Sequence, residues 1–191
     1  MMNTLILDSS TATLYVAVIK DNFVFEKYIS GRNDHAKNIV NCIDILLKDA
    51  ELRVDDLNRI IVGYGPGSYT GVRMAVTVGK MMAVFKKIQL YTISTLKLMA
   101  SGYFGVVKAS IDARRGNAFS AIFDMNNDTN ILDEGLYSYE QLSEFKFDSE
   151  VKDGEFKVNP FKVIELASLV DEPHLLVPNY LRDTEAERNA S

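Results

Sequence analysis

The stretch Gly63-Tyr64-Gly65-Pro66-Gly67-Ser68-Tyr69-Thr70-Gly71-Val72-Arg73 decides how this chain is read. An apolar run, Ile60-Ile61-Val62, precedes it, and a long apolar segment begins at Val72. A buried strand that runs into a tight loop, which then opens a helix, is the grammar of an α/β fold. Glycine permits positive φ and close approach of backbones. Ser68 or Thr70 is placed to cap the helix start, where the first amides have no intrahelical partner. Two readings stay open. Such a turn can hold an anion, or it can be a tight joint without a ligand, because glycine-rich strand-to-helix turns recur in α/β proteins.

Working outward, the chain alternates strands and helices. Thr4–Asp8 reads as a strand that ends in an acid followed by small hydroxyls, Ser9-Ser10-Thr11. Leu14–Lys20 and Phe23–Ile29 read as two further strands around the turn pair Asp21-Asn22. Asp34 is placed to cap a helix to Ala50, whose apolar residues Ile39, Ile43, Leu46 and Leu47 recur with a period near 3.6. Arg59–Tyr64 is the strand before the glycine loop. The helix after it, Val72–Phe85, has only a narrow polar stripe, Arg73, Thr77 and Lys80. A surface helix shows a broader polar face, so this one is either internal or pressed against a second protein. Gln89–Ile93 is a fifth strand and Thr95–Ser101 a short helix. Strands then restart at Val106–Ile111, Asn117–Phe123 and around Ile131–Leu136. Ser138 is placed to cap a helix through Phe145, Phe147–Asn159 reads as an exposed connector, and Pro160 opens a helix through Val170. The end, Thr184–Ser191, reads as frayed. The pattern divides into a first lobe, 1–103, and a smaller second lobe, 104–191, whose last segment is expected to pack back on the first.

Composition narrows the function classes. The 191 residues are 47% hydrophobic and 25% charged, enough for a substantial core. A net charge of −5 argues against a free-standing nucleic-acid binder. The single cysteine, Cys42, cannot form an internal disulfide and fits a reducing compartment. No early segment reads as a secretion signal and no run reaches bilayer length, so a soluble cytoplasmic protein is expected.

The two histidines, His35 and His174, lie far apart without partners at ligand spacing, so no metal site is expected. No serine sits in a nucleophile-elbow pattern. Asp8, at the end of the first strand, either approaches a magnesium–nucleotide or caps its own turn. Arg114 and Arg115 occupy a hairpin tip, as solvated charges or as an anion or RNA-backbone contact.

Three segments together resemble the TsaB (YeaZ) family: Leu7-Asp8-Ser9-Ser10-Thr11, the glycine block Gly63–Arg73, and Ile111-Asp112-Ala113-Arg114-Arg115-Gly116. His35 before the first long helix and the tail Pro178-Asn179-Tyr180-Leu181-Arg182 agree with it. The resemblance runs from residue 3 to about 125 and returns near the end. It implies an actin/Hsp70/sugar-kinase-like α/β fold of two lobes with mixed sheets, the second lobe shortened. It implies a bacterial accessory subunit, not an enzyme, for threonylcarbamoyladenosine formation in tRNA. The chemistry would belong to a catalytic paralogue, TsaD, joined by the ATPase TsaE. Pairing, as a heterodimer with TsaD or as a homodimer when alone, would use helices of the first lobe: His35, Ile39, Ile43, Leu46, Arg73, Met74, Thr77, Val78, Met81, Met82 and Phe85.

TsaD carries a His-x-x-x-His metal pair where this chain aligns Thr95 and Met99, so the resemblance implies a non-catalytic scaffold. Asp8, Ser9, Ser10, Gly65, Gly67, Ser68 and Gly71 would rim a vestigial nucleotide cleft. No cofactor is implied for the chain itself, with ATP or ADP bound only in the complex, and tRNA would be met only through that complex. Asn117 and Phe119 depart from the Glu and Tyr the family often has after the Arg-Arg-Gly turn. The rival reading is an ATP-dependent small-molecule phosphotransferase of the same superfamily.

Overall fold

The computed structural model describes residues 2–31 and 35–181. Asp34 as a helix cap, Arg182 of the tail motif and the frayed end lie outside the described residues.

Strands β1 (Thr4–Asp8), β2 (Thr13–Lys20) and β3 (Phe23–Ser30) form an antiparallel meander. Helix α1 (His35–Asp49) and a 3-10 turn at Val54–Asp56 lead to β4 (Arg59–Gly63), which lies parallel to β1. Helix α2 (Tyr69–Lys86) returns the chain to β5 (Gln89–Ile93), parallel to β4, and α3 (Thr95–Ala100) follows. The second sheet contains β6 (Val106–Asp112), β7 (Asn117–Asp124) and β8 (Thr129–Ser138). Helix α4 (Tyr139–Leu142), β9 (Ser149–Lys152), α5 (Pro160–Leu166) and β10 (Ser168–Leu169) follow, and then a 3-10 turn at Pro173–Leu175. The first sheet has the order β10-β5-β4-β1-β2-β3 and the second β8-β7-β6-β9.

The central strands of the first sheet, β1, β2 and β4, are buried on both faces. Leu5, Leu7, Ile60 and Val62 face α1 and α2, while Ile6 and Ile61 face a second core shared with α3, α5 and the second sheet. Strands covered on both sides read as continuous apolar runs, which is why β1 and β4 stand out in the sequence. The second core mixes Tyr15 and Ile19 of the first sheet with Val107, Ala109 and Phe123 of the second. The two lobes are therefore joined through shared packing.

Two expectations need correction. The stretch 147–159 is not an exposed connector. β9 pairs parallel with β6, and Val151, Phe156 and Val158 enter the core. Its Glu150 bonds Lys108 at 2.8 Å and Lys152 at 3.2 Å on the other face. A strand with one inward residue between charges shows no readable period. The Pro160 helix stops at Leu166, where Ala167 turns extended and Ser168–Leu169 joins β5 at the sheet edge. The chain thus adds its late segment to a sheet built from the first lobe.

Candidate functional site

The glycine loop is packed against its own chain. Gly65 has φ +107°, which favours glycine, and the Asn179 carbonyl lies 2.6 Å from where a Cβ would stand. A Cβ on Gly67 would overlap the Ser10 carbonyl, and one on Gly71 the Ser9 carbonyl. The loop's polar groups are engaged likewise. Ser68 N donates to Ser10 O at 2.7 Å, Ser9 Oγ to Gly71 O at 2.7 Å, and Thr95 N to Gly65 O at 2.9 Å. Ser68 Oγ caps the Gly71 amide at 3.4 Å. The glycines of this loop thus let the β1–β2 turn and the tail approach its backbone.

Asp8 stands behind this joint, 1% exposed. Its Oδ1 accepts from Ser10 N at 2.6 Å and its Oδ2 from Thr95 Oγ1 at 2.6 Å, while Thr95 Oγ1 accepts from Gly65 N at 3.2 Å. Burial pushes its carboxyl above the ordinary value of 3.8, and the Thr95 and Ser10 hydrogen bonds pull it back in part. One acid thus ties β1, the glycine loop and α3 together.

A cavity of about 400 Å³ opens between the lobes. Ser10, Gly67 and Ser68 line it from one side, and Asp112, Arg114 and Phe119 from the other, with Asp153 alongside. Asp8, Ser9, Gly65 and Gly71, expected on its rim, sit in the packing behind it. Arg114 reaches the cavity, whereas Arg115 is not among its lining residues. Both arginines are exposed and hold left-handed backbone, φ 66° and 55°.

The outer face of the first lobe is different in character. Val40, Ile43, Leu47, Val54, Val78, Met81, Met82 and Phe85 line an apolar groove of about 460 Å³ between α1 and α2. Phe85 is 77% exposed, Val40 64% and Met81 54%. Charged pairs rim it: Lys48–Asp44 at 2.6 Å and Lys86–Asp55 at 2.7 Å.

The residues expected at a pairing face divide. Met81 and Phe85 are exposed in the groove, and Ile43, Val78 and Met82 are its floor. Arg73 and Thr77 are exposed and Met74 is half-buried on α2. Ile39 and Leu46 are corrected: at 1% and 2% exposure they belong to the core under α1 and present no surface. The 3.6 period that marks a helix face does not say whether that face meets the core or a partner. His35 begins α1, and its side chain lies outside the described residues. Val40 was missed because it sits off the stripe that predicts α1. Lys80, of the polar stripe on α2, donates to the His174 and Leu176 carbonyls.

Where the metal pair would align, Thr95 holds Asp8 and Met99 is fully buried in the second core. Among the described residues, no group of three or more His, Cys, Asp or Glu side chains is placed to hold a metal. No described helix is long and apolar enough to cross a membrane.

Two mixed sheets flanked by helices, meeting across a cleft, define the two-lobed actin/Hsp70-like α/β class. Solved structures agree on the fold. YeaZ from Pseudomonas aeruginosa superposes with TM-score 0.76 at 19% identity, covering 95% of this chain and 100% of that one. A second structure, titled as an uncharacterized protein with similarity to peptidase YeaZ from the same organism, gives 0.80 at 20% identity, with the same coverage. Residues 29–170 match the family described as TsaD, tRNA N6-adenosine threonylcarbamoyltransferase.

Curated relatives are named tRNA threonylcarbamoyladenosine biosynthesis protein TsaB. The one from Bacillus subtilis is 32% identical over 66% of this chain and 57% of its own length. The one from Escherichia coli is 30% identical over 63% of this chain and 54% of its own length. The chain therefore spans little more than half the length of these relatives. The chain belongs to the TsaD family and, within it, to the TsaB (YeaZ) branch.

Proposed function

We propose that this chain serves threonylcarbamoyladenosine formation in tRNA as a non-catalytic pairing subunit. The α1–α2 groove seats the catalytic paralogue TsaD, and the same face pairs two copies when TsaD is absent. TsaE joins the assembly, any ATP or ADP is held by the complex, and tRNA is met only through it, in the cytoplasm. The carrying observation is the groove, because Val40, Met81 and Phe85 expose a contiguous apolar surface beside an adaptable methionine pair. A standard pairing interface buries about 800 Å² per partner. A partner that favours one state of TsaD shifts its population toward that state.

Thr95 and Met99 support the non-catalytic part, since neither supplies imidazole. The buried Asp8 and the self-packed glycine loop weigh against the phosphotransferase reading. The test is a mixing experiment. Chromatography of the purified chain with TsaD is expected to give a heterodimer, and transfer activity is expected to rise. No complex and no activation would overturn the reading, as would turnover of a phosphoryl substrate by the chain alone.

A further inference from the structure

Beyond β10 the chain crosses the first lobe as a strap, residues 170–181, which holds one 3-10 turn at Pro173–Leu175 and is attached at four points. Val170 N donates to Leu90 O at 2.9 Å. Lys80 Nζ, on α2, donates to the carbonyls of His174 and Leu176 at 2.9 and 2.8 Å. Asn179 N donates to Tyr64 O at 2.7 Å. The Tyr180 ring stacks on Tyr69, the first residue of α2, with centroids 5.0 Å apart.

The last three attachments all grip the glycine loop or α2. From Tyr69 to Lys80 the helix rises about 16 Å, so the strap braces its first three turns. Gly65 lies so close to the Asn179 carbonyl that the loop is shaped to receive the strap. The strap buries only part of its apolar surface: Val170 and Leu176 pack against the first-lobe core, while Leu175 is 64% exposed and Val177 70%. Segments with few buried apolar contacts open at low free-energy cost.

We propose that residues 170–181 are a releasable strap whose docking orders the glycine loop and the first turns of α2, and so sets how tightly the α1–α2 face holds its partner. The coupling to a partner rests on the pairing reading above; the ordering does not. Lys80, which grips the strap, is the neighbour of Met81 in the groove, so one helix carries both sets of contacts. A partner that must order a loosened helix binds more weakly. By reciprocity, a seated partner protects the strap.

The test uses the full chain with Lys80→Met and Tyr180→Ala combined, and Lys80→Met alone as a milder variant. Lys80→Met keeps the packing of the stem and removes the donors. Proteolytic cleavage within 170–181 reads strap release, and hydrogen exchange reads the amides of 63–74 against those of β6 and β7. Release is expected to speed exchange in 63–74 about ten-fold, with β6 and β7 unchanged, and to weaken pairing with TsaD several-fold.

A strap that stays protected in both variants overturns the proposal, because the named contacts then do not hold it. Release with unchanged exchange in 63–74 also overturns it. Faster exchange with unaltered pairing overturns the coupling. If the unsubstituted chain does not pair with TsaD, the pairing reading fails, and the exchange comparison still decides for or against the lock.

Discussion

The inter-lobe cleft and the outer face of the first lobe are built from opposite materials. At the cleft, glycines, the Ser9 and Ser68 hydroxyls and a buried acid are consumed by contacts within the chain: Ser9 Oγ holds Gly71 O, Ser10 O holds Ser68 N, and Asp8 holds Thr95. On the outer face, Met81, Val84 and Phe85 stand in solvent with only a charged rim around them. Motif-rich sequence marks the first region and bland apolar sequence the second. The lesson is that a glycine motif can be kept for a joint while the exposed apolar surface lies in unremarkable sequence.

The sharpest way to break this contrast is at the joint. Gly71→Val would drive a side chain into the Ser9 carbonyl. Stability is expected to fall by about 3 kcal/mol or more, read from the urea midpoint. A folded Gly71→Val variant of unchanged midpoint would mean the loop is slack enough to serve a ligand. On the other face, Met81→Asp is expected to leave the midpoint within about 0.5 kcal/mol. Pairing should weaken by about 2 kcal/mol or more, as for loss of a central apolar anchor. Unfolding in place of lost pairing would show the groove to be part of the core.

Asp8→Asn sharpens the account of the joint. The folded carboxyl titrates above its ordinary 3.8, so the folded chain keeps a proton that the unfolded chain has released. The contribution of Asp8 to stability is therefore full below pH 3.8 and declines as pH rises through the folded value. The stability difference between the wild type and Asp8→Asn is expected to shift toward the variant over that interval and then level off. A flat difference would place the acid in a solvated setting, and one that moves the other way in an ion-paired setting. The smallest effect is expected at the hairpin tip. Arg115→Gly removes a side chain from left-handed backbone and should stabilise by about 1 kcal/mol.

Legibility followed the same divide. Strands β1 and β5 were readable to the residue, and in β1 burial on both faces leaves no ambiguity of period. Ser138 as the cap of α4 was readable from its hydroxyl, and its Oγ accepts from Gln141 N at 3.1 Å. β9 and β10 were not, being four and two residues long with no apolar rhythm. At the outer face the helices were visible, but the assignment of Ile39 and Leu46 to it was not safe. Both lie on the same stripe as Ile43, and the packing of α1 against β2 and β3 covers them. The strap falls in the last segment, expected to pack back on the first lobe, while its grip on Lys80 depends on contacts 94 and 96 residues apart in sequence.

The pairing of β10 with β5 also carries a consequence for biosynthesis. During translation, the outer edge of β5 stays without its native neighbour until Ser168 and Leu169 have left the ribosome, some 75 residues after β5 itself. Until then the nascent chain offers an open strand to solvent or to another copy of itself. The maturing polypeptide therefore has a defined interval of vulnerability, which ends when its own late dipeptide seals the rim.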